Sequence, residues 1–198
     1  MSDRVDTAGD AQVISTDFHD GVLDNLRRNI FDNPSLSSDT PIHVRKLDWS
    51  AVHTSHLYST SVHAPLLMPA PFNKPFTTLL AADVVYGPLH ALWLRSCVEQ
   101  FLLKPETTSS VPALSALSLI TTSSHPDPAF HLIVPLRPTH TPAIESITTV
   151  FPRAEDLPPR EEDGEWRLAV KSLLEVERER GVGRVDEGAY RLYEIGWC

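Results

Sequence analysis

Apolar residues along the chain fall into short blocks separated by polar, proline-bearing stretches, and three early blocks each run into an aspartate. These are Val13-Ile14-Ser15-Thr16-Asp17, Ile42-His43-Val44-Arg45-Lys46-Leu47-Asp48 and Thr77-Thr78-Leu79-Leu80-Ala81-Ala82-Asp83. Blocks of this length bounded by turn residues read as strands. Between the first two, Val22, Leu23, Leu26 and Ile30 recur at helical spacing behind a candidate cap, Asp20, and Asn33-Pro34 stops the pattern. Strand, helix and strand within about 30 residues is the length of a βαβ crossover, which predicts a parallel pair. In an open α/β sheet the ligand lies beyond the carboxyl ends of the strands, so successive strands ending in carboxylates point to one polar ligand site.

Further along, the periodicity weakens before it returns. Residues 50–75 support at most a short helix around Ala51 to Tyr58. Pro88 opens a helix with a predicted stripe of Leu89, Leu92, Trp93, Cys97 and Phe101, closed by Lys104-Pro105. Phe130-His131-Leu132-Ile133-Val134 is a buried strand, after which Thr141 caps a helix with Pro142 at its first position and Ile144, Ile147 and Phe151 inward. Trp166 to Val176 and Tyr190 to Trp197 predict two strands around the turn-rich Gly181-Val182-Gly183-Arg184. Residues 106–128 and 153–165 read as flexible insertions in an otherwise single α/β domain over residues 1–198.

Composition narrows the function classes. The 17 prolines against 8 glycines imply long surface loops. A formal charge of -9 disfavours nucleic acid and favours a protein partner with basic character. Cys97 and Cys198 have neither a disulfide-framework nor a zinc spacing, which points to a reducing compartment, cytoplasmic and also compatible with the nucleus. No signal peptide or membrane span is read from the chain, since Pro69 and Pro71 interrupt the apolar stretch from Leu66 to Phe72.

Leu79-Leu80-Ala81-Ala82-Asp83-Val84-Val85-Tyr86 resembles the Asp-x-x-Tyr motif of the seven-β-strand, S-adenosylmethionine-dependent methyltransferases that modify lysines of non-histone proteins. The neighbouring features follow that family's order: Val13 to Asp17 with the helix after it, Leu47-Asp48-Trp49, and Tyr190-Arg191-Leu192-Tyr193-Glu194-Ile195 near the end. The resemblance implies a Rossmann-like sheet, mostly parallel with an antiparallel C-terminal hairpin, and S-adenosyl-L-methionine as cofactor. It implies that Asp17 accepts hydrogen bonds from the ribose hydroxyls, Trp49 lies beside the adenine, Asp48 accepts from the adenine amino group, and Ala82 admits the cofactor close to the third strand. Asp83 and Tyr86 would border the methyl-transfer channel as the catalytic pair, where an acceptor lysine of a protein substrate is desolvated and aligned.

One family feature has no counterpart. A first strand ending in a Gly-x-Gly loop, followed by a helix, belongs ahead of the ribose-binding acid, yet only Met1 to Gln12 with the single Gly9 stand there. That strand is central in the family's sheet, between the strands ending at Asp17 and Asp83, so the expectation is an N-terminally incomplete domain with the central strand missing. The functional expectation is a protein-lysine N-methyltransferase fold whose activity in this form is open, with a non-catalytic protein-interaction module as the alternative.

Plainer readings stand beside these. Each aspartate is also the residue type that caps helices and forms turns after strands, and Trp49 and Tyr86 could be packing aromatics. His53, His56 and His63 lack a third ligand at convincing spacing, so no metal site is predicted. No Gly-x-Ser-x-Gly elbow occurs, and Gly181-Val182-Gly183 lacks the strand-to-helix setting of a phosphate loop. The run Glu175 to Arg180 reads as a solvated edge of mixed charge.

Overall fold

The computed structural model describes residues 12–36, 42–63, 66–105, 127–161, 164–179 and 187–198. Ala113 to Ile120 and the Gly181 to Arg184 turn lie outside the described residues, as does nearly all of the 106–128 insertion. In the described residues the chain is an α/β protein with strands β1 (Val13–Asp17), β2 (Ile42–Lys46), β3 (Thr78–Ala82), β4 (Ala129–Leu136), β5 (Leu168–Glu177) and β6 (Ala189–Trp197). Its α-helices are α1 (Asp20–Asp32), α2 (Trp49–Ser61), α3 (Pro88–Phe101) and α4 (Thr141–Val150). The chain divides into two compact units, Met1–Val52 and His53–Cys198.

The first unit is the βαβ crossover. β1 and β2 pair in parallel, Val13 opposite Ile42 through Asp17 opposite Lys46. Leu23 of α1 and Val44 of β2 are buried, and Val22, on the predicted stripe, is exposed. Asp20 is not the cap of α1. His19 occupies that position, its Nδ1 accepting from Gly21 N at 3.1 Å, because Asp20 is drawn into a 2.9 Å ion pair with Lys46.

The second unit holds a mixed sheet of order β3-β4-β6-β5, in which β3 is parallel to β4 while β6 runs antiparallel to both β4 and β5. The predicted C-terminal pair is thus an antiparallel hairpin. Register places Phe130, Leu132, Tyr193 and Ile195 together, all buried. They join Leu94, Val98 and Phe101 of α3 and Ile144, Ile147 and Phe151 at α4 in the core. Arg95 of α3 ties the two helices, donating to Val150 O at 2.8 Å and satisfying a last-turn carbonyl of α4.

Three helix expectations need correction. α2 is longer than Ala51 to Tyr58, beginning at Trp49 because Asp48 caps it. On α3 the buried stripe is Ala91, Leu94, Cys97, Val98 and Phe101, while Leu89 and Leu92 are exposed; the apolar residues outnumber the positions that one face can bury. α4 is capped at His140 without a side-chain bond, Thr141 being its first residue and donating to Pro138 O.

Candidate functional site

In the first unit the carboxyl ends of two parallel neighbours coincide. Leu47 N donates to Asp17 O at 3.0 Å, continuing the β1–β2 ladder one residue past the end of β2. Asp17 Oδ1 accepts from His19 N at 2.7 Å, an Asx turn that fixes the carboxylate at the strand end. Immediately beyond β2, Asp48 Oδ1 accepts from Ser50 Oγ at 2.6 Å, Ser50 N at 2.9 Å and Ala51 N at 3.3 Å. The Ser50 hydroxyl, and with it the two amides, hold the Asp48 carboxyl below the ordinary carboxylate range. Asp48 is therefore the N-cap of α2, and Trp49 is that helix's first residue. Asp17, Asp48 and Trp49 are brought to one end of this unit.

In the second unit a different group forms at the carboxyl end of β3. Asp83 follows the strand directly, its N–H donating to Ile133 O at 2.9 Å. It turns the chain with φ 51°, a left-handed conformation that Asp tolerates better than most residues. Ala82 is exposed at the edge strand, and Tyr86 projects three residues on, also exposed. His90 of α3 supports this loop, its Nδ1 accepting from Tyr86 N at 3.2 Å. Its ring lies edge-on to Tyr86 at 6.1 Å and stacks on Trp93 at 5.1 Å; His140, at the start of α4, borders Tyr86 at 6.2 Å.

The residue that organises Asp83 is Arg137. It leaves the carboxyl end of β4, one strand over, and forks the Asp83 carboxylate with Nη1–Oδ1 at 3.2 Å and Nη2–Oδ2 at 2.8 Å. The same guanidinium donates from Nη2 at 2.5 Å and from Nε at 3.2 Å to Glu187 Oε1. Glu187 lies just before β6, whose first turn of ladder is antiparallel to the end of β4, so three strand ends converge. Tyr190 OH donates to Glu187 Oε2 at 2.6 Å. The Arg137 and Glu187 side chains are each 5% exposed, whereas that of Asp83 is 43% exposed. Hydrogen bonds from Arg137 to Asp83 and then to Glu187 hold the guanidinium charge firmly on, and the bond to Glu187 raises the Tyr190 phenol above its ordinary value.

Beside Ala82, the sheet face away from α3 and α4 forms a shallow hollow of about 570 Å³ lined by Leu80, Ala82, Ile133, Leu174, Leu192 and Glu194. The histidines of α2 go elsewhere: His53 Nδ1 meets the buried Ser96 Oγ at 2.8 Å, and His56 Nε2 lies 3.0 Å from Glu99. Among the described residues no group of three or more His, Cys, Asp or Glu is placed to hold a metal.

The six residues singled out in the sequence thus form two groups, Asp17, Asp48 and Trp49 in one unit and Ala82, Asp83 and Tyr86 in the other. Arg137, Glu187, His90 and His140 escaped sequence reasoning. A single arginine ending an apolar strand was the one available signal, and a glutamate in a chain this acidic offers none. No protein-family model matches the chain, and no curated protein matches it.

Proposed function

We propose that the chain is a Rossmann-like, S-adenosylmethionine-dependent methyltransferase domain acting on protein lysine. The observation that carries this reading is the Asp17–Leu47 backbone bond, which puts the Asp17 carboxylate one strand over from Asp48 and Trp49 at the carboxyl ends of a parallel pair. The adenosine half of the cofactor fits these residues: Asp17 uses Oδ1 for His19 and accepts with Oδ2 from no group among the described residues. When bound, the cofactor supplies a sulfonium methyl for direct displacement by an amine.

The second group suits the acceptor. Asp83 presents a half-exposed carboxylate beside the exposed Tyr86 ring, polar and aromatic surfaces together, which suits the alkyl stem and nitrogen of a lysine. Calorimetry with S-adenosylhomocysteine at micromolar protein tests the reading, with heat expected for the native chain and a marked loss for Asp17→Ala.

A second reading, a non-catalytic module that binds a protein without turnover, draws on the Arg137 fork, which already engages both oxygens of Asp83. Absence of heat with S-adenosylhomocysteine would favour it.

A further inference from the structure

We propose that Arg137 and Glu187 are positioning residues that keep Asp83 available to a second cation, an alkylammonium group, by dividing one guanidinium between two carboxylates. This rests on the reading of Asp83 and Tyr86 as the acceptor side of the site.

Four observations carry the assignment. Asp83 is forked through both oxygens, so its rotamer is set at the left-handed turn just past β3, while its backbone N–H stays on Ile133 O. The guanidinium is shared, and its shorter contact is to the almost fully buried Glu187, at 2.5 Å against 2.8 Å. A carboxylate that owns only part of a positive charge still attracts a cation, and Asp83 is the member of the trio that solvent reaches. Tyr190 OH, donating to the other oxygen of Glu187, holds that carboxylate towards Arg137. A lysine at position 137 would be a single point charge unable to fork Asp83 and reach Glu187 together.

The probe is n-butylammonium, with butyramide as its neutral counterpart, titrated into the full chain while backbone and Tyr86 ring resonances are followed by NMR. Butylammonium is expected to shift Asp83 to Tyr86, and butyramide is not. Glu187→Gln keeps the shape but leaves the guanidinium more fully on Asp83, so ammonium affinity should fall about three- to fivefold, the scale of one half-exposed charge contact. Arg137→Lys should broaden the Asp83 resonance in the free protein, a signature that loss of packing elsewhere would not produce. No response of the native loop, or equal affinity in Glu187→Gln, would overturn the proposal. Calorimetry with S-adenosylhomocysteine on the same samples separates the two ideas: its failure removes the methyltransferase reading and leaves an observed ammonium response standing.

Discussion

A buried charge is costly unless paired, and Arg137 shows how one side chain settles that cost at the junction of three strands. Glu187 and Arg137 leave water together, so removing Arg137 takes away the cation bonded to Glu187 Oε1. Arg137→Met should destabilise the second unit by about 3–5 kcal/mol in urea unfolding, since the buried Glu187 loses the cation bonded to its Oε1. Tyr190 offers a spectroscopic readout of the same network. Its phenol is raised chiefly by the Glu187 bond, so Glu187→Gln should lower its ionisation midpoint in an ultraviolet pH titration; an unmoved midpoint would contradict the 2.6 Å contact. Asp48 acts at the same scale in the first unit. Asp48→Ala should cost about 1 kcal/mol of stability through loss of the α2 cap. Because its folded-state pKa is depressed, that contribution is present above the ordinary carboxylate range and disappears as pH falls through the lowered value. Acid titration of native and Asp48→Ala chains should therefore converge at low pH.

Elements differ in how far their sequence periodicity predicts their packing. α1, α3, α4 and all six strands were legible because their apolar residues repeat at helical or strand spacing. α2 was underestimated, since its Ser, Thr and His residues give no apolar face; its start depends on the Asp48 cap and its seat on polar contacts such as His53 with Ser96. Which residues of α3 are buried was legible only in part, for five leucine or aromatic positions compete for one face and α4 decides among them. α4 presents Ile147 at 0% exposure, so Ile147→Ala should cost about 2–5 kcal/mol in chemical unfolding of the second unit. A smaller loss would mean that the α3–α4 seam collapses onto the cavity.

At the scale of the whole molecule, two compact units of unequal core share the chain. Among its described residues the first buries few apolar side chains, Leu23, Val44 and Val52, and a small core supports little independent stability. Hydrogen exchange should show protection of β1 and β2 lost at lower urea than protection of β4 and β6; simultaneous loss would mean that the units unfold as one. Among the described residues no helix is long and apolar enough to cross a membrane. The sequence alone determined the order of elements, the parallel crossover and the carboxylates at strand ends, because local periodicity, turn residues and chain length control these. Only the tertiary structure decided that β6 lies between β4 and β5, and that Arg137 and Glu187, 50 residues apart, meet at Asp83. Such a meeting depends on strand register, and no local pattern encodes which distant charges a register will bring together.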